Sequence, residues 1–318
     1  MASSLPQIFV LKPITNNKYL RYINQSMGEV KDILQFCGND IMSIYSRFEK
    51  ETAAPDNPDL VHIKCSYNNN YLSRAKQEDS LIVAGASQKQ QQPNLWTCTL
   101  FKPELVHQEP ENYKGIVGQF RFSHVQLEKN IGPSAGVFRE VLSADDQNTV
   151  FTVINWEKLV TLPRHLAFKG NNGKFLSAQT MDPEHTYLEF SISNNSNYPT
   201  VQNEIFNIGD GSVRIKSTST GNLWRRNSSP NNDTDNCICA DTLTDDNTTD
   251  DTLFWPVLIE KTNIHGNLVV ALLNLGENKF CRRLTTDNGV KDYLNAASER
   301  VTPEAHLEVI KKPDPLQT

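Results

Sequence analysis

Cysteine is scarce in this chain, with six in 318 residues (Cys37, Cys65, Cys98, Cys237, Cys239 and Cys281) at scattered spacings. That excludes a small disulfide-stapled scaffold and fits a reduced compartment. No window approaches the roughly 18 uncharged apolar residues of a membrane span. The stretch Met1-Ala2-Ser3-Ser4-Leu5-Pro6 has neither the basic region nor the apolar core of a secretory leader. The expectation is a cytoplasmic protein without membrane insertion. Positive charge is also short, with 31 Lys and Arg against 37 Asp and Glu and a net charge of -6. A nucleic-acid or anionic-membrane binder would show the opposite balance, so neither partner is expected. Asparagine, by contrast, is abundant at 32 residues. It tolerates left-handed backbone and builds tight turns, which points to many hairpins and few helices.

A repeated unit organises the chain. An apolar strand ending near Lys leads through a polar turn to an aromatic or apolar pair, often followed by Arg. In the first half it reads Val10-Leu11-Lys12 with Tyr19-Leu20-Arg21, and Val61-His62-Ile63-Lys64 with Tyr71-Leu72-Ser73-Arg74. A weaker third copy is His124-Val125-Gln126-Leu127 with Val137-Phe138-Arg139. The second half gives Phe168-Lys169 with Phe175-Leu176, Ile215-Lys216 with Leu223-Trp224-Arg225, and Leu273-Asn274 with Phe280-Cys281-Arg282. Alternation around Asn, Gly or Ser turns marks hairpins with one buried face. A second apolar anchor recurs at a steady distance: Leu11 to Phe48 is 37 residues, Ile63 to Phe101 38, Phe168 to Phe206 38 and Ile215 to Phe254 39. The third copy contracts to 24, Leu127 to Phe151.

Units of about four strands, three per half, predict an all-β chain of two tandem β-trefoil domains. A six-bladed propeller is the rival architecture. The run Asn155-Trp156-Glu157-Lys158-Leu159-Val160, stopped by Pro163, decides for trefoils, because it reads as a short helical break between copies three and four. The expected organisation is an N-terminal domain over 1–154, a helical linker over 155–163 and a C-terminal domain over 164–318.

Motifs for chemistry are weak. Gly132-Pro133-Ser134-Ala135-Gly136 matches the G-x-S-x-G pattern but falls in a hairpin turn, where the required strand-to-helix elbow is not expected. Cys237-Ile238-Cys239 has one residue between its sulfurs, against two to four in a zinc knuckle. The seven Asp between 231 and 251 match no calcium template and read as a solvated loop. His62 and His124 are expected to face outward from their strands. The sequons at Asn24, Asn194, Asn227, Asn232 and Asn247 are the number so Asn-rich a chain produces by chance, and no glycosylation is expected. No catalytic residue, metal or cofactor is expected. Amide-rich loops with interspersed aromatics suit neutral, hydroxyl-rich ligands, because amides both donate and accept while an aromatic face covers the C–H patch of a pyranose.

The segments Leu60-Val61-His62-Ile63-Lys64, Trp96-Thr97-Cys98-Thr99-Leu100-Phe101-Lys102-Pro103, Phe168-Lys169-Gly170-Asn171-Asn172-Gly173-Lys174, Ile154-Asn155-Trp156, Leu272-Leu273-Asn274 and Asn295-Ala296-Ala297 resemble the amaranthin-type agglutinins of plants. The resemblance runs in order along nearly the whole chain. It implies two agglutinin domains, a non-catalytic lectin, and a head-to-tail homodimer with sugar sites between the N-terminal domain of one subunit and the C-terminal domain of the other. It also implies N-acetylgalactosamine as ligand, especially within Galβ1,3GalNAc (the T-antigen disaccharide), and glycans ending in GalNAc or Gal as partners. No Gln-x-Trp triplet of the ricin-type trefoils occurs. By the same resemblance the site takes Asp79, Ser80 and Leu81 from one loop and Asn274, Leu275 and Glu277 from another. The family's first loop carries aromatic residues, whereas 75–81 here carries none. Substituting Asn274 is expected to remove sugar binding with little cost to the fold. The alternative function is a trefoil protein-interaction module with altered or lost sugar binding.

Overall fold

The computed structural model describes residues 5–109, 114–136, 139–145, 148–180, 185–228, 235–243, 249–261, 267–285 and 292–314. The chain divides into two compact units, Met1–Leu159 and Val160–Thr318. Both are built from strands, and the helical content among the described residues is five 3₁₀ turns of three residues each.

The first unit has three repeats of four strands. Repeat one holds β1 (Ile8–Pro13), β2 (Tyr19–Ile23), β3 (Ile33–Gly38) and β4 (Phe48–Thr52). Repeat two holds β5 (Val61–Cys65), β6 (Tyr71–Arg74), β7 (Ile82–Ala86) and β8 (Leu100–Gln108), and repeat three β9 (Ile116–His124), β10 (Lys129–Pro133), β11 (Leu142–Ala144) and β12 (Phe151–Asn155). The outer strands of each repeat pair antiparallel around a closed ring, β1–β4–β5–β8–β9–β12 and back to β1. The inner strands form hairpins β2–β3, β6–β7 and β10–β11. These meet through Ile33↔Val83 and the bridges Gln35↔Val141 and Leu81↔Ser143. A six-stranded barrel under a triangle of hairpins is the β-trefoil arrangement, and closure leaves no free barrel edge.

The second unit repeats the plan with β13 (His165–Gly170), β14 (Phe175–Thr180), β15 (Thr186–Ile192), β16 (Asn203–Asn207), β17 (Val213–Ser217) and β18 (Leu223–Arg226). It continues with β19 (Ile238–Thr242), β20 (Phe254–Lys261), β21 (Leu268–Asn274), β22 (Lys279–Thr285), β23 (Asp292–Ser298) and β24 (Leu307–Lys311). Its ring runs β13–β16–β17–β20–β21–β24 and closes on β13. Alternate barrel residues point inward. In the first unit they fill the core with Phe9, Phe48, Phe101, Phe120, Phe122 and Phe151, and in the second with Phe168, Ile215 and Phe254, joined there by Trp224 of the hairpin strand β18.

Three expectations need correction. The linker helix does not form. Asn155 caps one 3₁₀ turn, Trp156–Lys158, and Leu159 is already extended. Two β-branched residues and the residue before Pro163 follow, all poor helix positions. Trp156 and Leu159 instead pack on Val10, Tyr19, Ile41 and Ile154 of the first unit. The weak third copy was anchored too late: the strand is Ile116–His124, so Phe122 rather than Leu127 matches Ile63. The contraction lies between β11 and β12, which six residues (145–150) connect, against 13 (87–99) between β7 and β8. Finally, His62 and His124 are both fully buried. His124 continues the inward series Phe120, Phe122 and meets Phe101 edge-on at 5.2 Å. His62 does lie on the outer strand face, but Thr99 covers it, with Nδ1 2.8 Å from the Thr99 hydroxyl.

Candidate functional site

The loop 75–81 joins β6 to β7, and its two ends hydrogen-bond as Ala75 N donates to the Leu81 carbonyl at 2.9 Å. What shapes it is Arg74, the last residue of β6 and 8% exposed. Its Nε donates to the Asp79 carbonyl at 2.9 Å, Nη2 to the Gln77 carbonyl, and Nη1 to Gln126 Oε1 at 2.7 Å. A guanidinium satisfies three acceptors in fixed directions, so one buried side chain sets the loop's path. The Asp79 and Ser80 carbonyls point inward, Ser80 accepting from Ala144 N at 2.7 Å. The Asp79 side chain is half-buried, that of Ser80 exposed, and Leu81 bridges to Ser143.

In the second unit the equivalent strand β18 ends in Arg226, 7% exposed. Its Nε donates to Asp251 Oδ1 at 2.8 Å, Nη1 to Asn236 Oδ1 at 2.8 Å, and Nη2 pairs with Glu277 Oε1 at 3.2 Å. Asn274, Leu275 and Glu277 all converge on this network. Leu275 N donates to the Leu253 carbonyl at 2.9 Å. Asn274, however, has no exposed surface. Its Nδ2 donates to the Asp251 carbonyl at 2.9 Å and reaches the Leu253 carbonyl at 3.4 Å. Its place is therefore beneath the loop, where it positions the 3₁₀ turn Asp250–Thr252. Of the residues predicted here, Glu277 presents its side chain outward and half-exposed.

Each arginine borders a concavity. Beside Arg226 it measures about 480 Å³ and is lined, among the described residues, by Arg225, Asp241, Thr242, Leu243, Thr249 and Asp251 among others, none aromatic. Beside Arg74 it measures about 330 Å³, and Trp96, 38% exposed, forms part of its wall with Thr97, Ser73, Lys31 and Asp32. The loop 75–81 lacks aromatics, yet the fold brings Trp96, from the β7–β8 connection, into the same concavity as Ala75 and Lys76. Arg74, Arg226, Asp32 and Trp96 were absent from the sequence prediction. The signal for Arg74 was present in the Arg that closes the second copy of the first half, whereas in the second half the copy was read as closing on Arg225, one residue short of Arg226.

His185, Cys239 and Asp241 place their donor atoms within 4.8 Å of one another. Asp241 is already neutralised there: Arg225 donates through Nε at 2.7 Å and Nη2 at 3.1 Å, and His185 Nδ1 lies 2.9 Å away. A cation would have to enter beside a guanidinium, which its charge opposes. Cys237, the other member of the Cys-x-Cys pair, accepts from Asn295 Nδ2 at 3.7 Å, and burial pushes its thiol pKa up. Ser134 sits in a turn after β10, its hydroxyl accepting from Gly136 N at 3.2 Å, which ties down the oxygen that the G-x-S-x-G pattern would need as a nucleophile.

No curated protein matches the chain. Among solved structures, the designed 3-fold symmetric protein ThreeFoil is 11% identical, with 46% of this chain and 99% of that chain covered at a TM-score of 0.37. The family model for the Agglutinin domain matches twice, over residues 3–147 and 160–311, once in each unit. The chain belongs to the Agglutinin domain family.

Proposed function

We propose that this protein is a non-catalytic, carbohydrate-binding lectin that recognises N-acetylgalactosamine, above all within Galβ1,3GalNAc. The observation that carries the reading is the doubled Agglutinin domain. Its support in the site is that buried arginines at the same repeat position reach both loops named by the family resemblance: Arg74 braces loop 75–81 through its carbonyls, and Arg226 pairs with the Glu277 side chain of the other. Rigid loops lose little entropy on binding, which a weak sugar ligand requires. The sugar contacts are Asp79, Ser80 and Leu81 from one subunit and Leu275 and Glu277 from the other in a head-to-tail homodimer, with Asn274 holding its loop in place. Two sites per dimer then crosslink glycans, and avidity offsets weak single-site affinity. The protein works in the cytoplasm.

The test is a glycan array with the intact protein, followed by agglutination with free N-acetylgalactosamine as competitor. Enrichment of glycans ending in GalNAc or Gal, with competition by the free sugar, is expected. An array without that enrichment overturns the specificity, and partner capture that ignores competing sugar turns the reading toward a protein-interaction module.

A further inference from the structure

Two sugar-sized concavities of the first unit share one wall, and that wall ends in a carboxylate. The first, of about 330 Å³, has Trp96 on one side and Lys31, Asp32, Ser73 and Thr97 around it. The second, of about 310 Å³, is lined by Asn24, Gln25 and Ser26 and again by Lys31 and Asp32. Both volumes sit at the small end of the roughly 300–1,000 Å³ typical of ligand pockets, a size for single sugar rings.

Asp32 is built into place. It adopts φ +57, a left-handed conformation that Asp and Asn tolerate better than most residues. Its carbonyl accepts from Ala84 N at 2.9 Å. Its Oδ1 accepts from the Tyr22 hydroxyl at 2.9 Å and Asn68 Nδ2 at 3.4 Å. Burial, then the adjoining Asp32, pushes the Tyr22 pKa up to about 12, so the phenol remains a donor throughout the neutral range. Oδ2 takes no hydrogen bond from the described residues and is the acceptor left for a ligand hydroxyl.

We infer that the first unit carries a carbohydrate site of its own, two adjacent subsites for neutral hexopyranose rings, with Trp96 stacking on one ring and Asp32 accepting hydroxyls at the junction. The inference rests on the lectin reading above and borders its 75–81 loop at Ala75 and Lys76, but its ring contacts, Trp96 and Asp32, are not among the sugar contacts proposed there. A half-exposed indole beside fixed donors and acceptors meets the needs of a pyranose, whose C–H face is apolar and whose rim is hydroxyl. Lys76 and Glu29, both on the rim, neutralise each other at 2.7 Å, which favours an uncharged ligand.

The experiment titrates the intact protein with N-acetylgalactosamine and Galβ1,3GalNAc while following tryptophan emission. Trp224 and Trp255 are buried and Trp156 is half-buried, so the most exposed indole is Trp96. Sugar is expected to shift the emission to the blue and shield it from a soluble quencher. Trp96→Phe removes that shift yet still binds by saturation-transfer NMR. Trp96→Ala and Asp32→Asn each weaken disaccharide binding about ten-fold. An emission shift that persists in Trp96→Phe, or wild-type binding by Trp96→Ala, overturns the subsites. If the array and agglutination remain positive in that case, the lectin reading stands without them; if the wild type binds no glycan, both fall.

Discussion

His124 makes the first unit sensitive to acid. Its Nε2 donates to the Cys98 carbonyl at 3.1 Å, and its Nδ1 accepts from Leu127 N at 3.4 Å. The Nδ1 contact requires the neutral ring, because a proton on Nδ1 would face a backbone N–H. Burial, opposed in part by the Cys98 carbonyl and reinforced by the charge of Arg74, lowers the pKa from 6.5 to about 4. In the unfolded chain the ring regains its ordinary value near 6.5. Between those values the unfolded state holds more protons, so stability rises with pH and is lost as pH falls below about 6.5. At 1.36 kcal/mol per unit the full loss is about 3 kcal/mol, and about 2 kcal/mol of it falls between pH 7 and pH 5. His62, whose pKa burial also lowers, adds to the loss in the same direction. The assay has two parts. NMR titration of the imidazoles should show His124 as the Nε2–H tautomer, without a titration step above pH 5. Hydrogen exchange of β8 and β9 amides, corrected for intrinsic rates, should show the first unit losing stability from pH 7 to pH 5, and His124→Gln should lose about 2 kcal/mol less. A His124 that titrates near 6.5, or a His124→Gln protein with the wild-type acid loss, refutes the reasoning.

Further outcomes follow from the same contacts. Asn274→Ala removes a buried donor from the Asp251 and Leu253 carbonyls and should cost about 1–3 kcal/mol by denaturant unfolding of the second unit, contrary to the small cost expected from sequence. If glycan binding vanished while stability stayed at the wild-type value, Asn274 would be a direct contact after all. Arg74→Lys should reduce agglutination although charge is kept, because an ammonium cannot reach Asp79, Gln77 and Gln126 together; undiminished haemagglutination titres would exclude the bracing role. Gly211→Ala should lower the melting temperature, since φ there is +103 and a Cβ would lie 2.6 Å from the Trp255 ring. The associated cost is roughly 1–3 kcal/mol, and an unchanged thermogram would contradict it.

The repeat was legible because four of the six copies share one turn device. Asn16, Asn68 and Asn172 each accept through Oδ1 from the backbone N–H two residues on, and Thr220 does so through its hydroxyl. These four turns follow β1, β5, β13 and β17, the first strands of four repeats, so local chemistry announces the hairpin. Asn serves in both ways: as a side-chain cap at Asn16, Asn68 and Asn172 and at Asn155 and Asn195, and in left-handed backbone, which among the described residues Asn69, Asn236 and Asn278 adopt. Third-repeat register was not legible, because the polar residues of Ser123-His124 and the shortened β11–β12 connection hide the inward Phe120, Phe122, His124 series. Burial of His62 escaped for a different reason: the cover comes from Thr99, 37 residues away, and no local pattern encodes it.

The site was legible only as far as the loops. A sequence motif marks where a loop lies, but the side chain that shapes it can sit on the strand before it, as Arg74 and Arg226 do. Those two positions are equivalent in the duplicated plan and perform the same bracing task, yet the surroundings have diverged. In the second unit Arg225 and Arg226 are bound to Asp241 and Asp251, and the concavity beside them is walled by ion pairs. In the first unit Ser73 and Gly85 stand where Arg225 and Asp241 stand in the second, and Trp96 takes the place of Thr249. Replacing an ion pair by a small hydroxyl and a glycine takes the charge out of the wall, and adding an indole gives that wall an apolar face. Ion-paired side chains must be desolvated and rearranged before a neutral sugar can use them, whereas an exposed indole offers its face without such rearrangement. Both units keep the buried arginine, and the first unit alone, among the described residues lining the two concavities, sets an indole beside it.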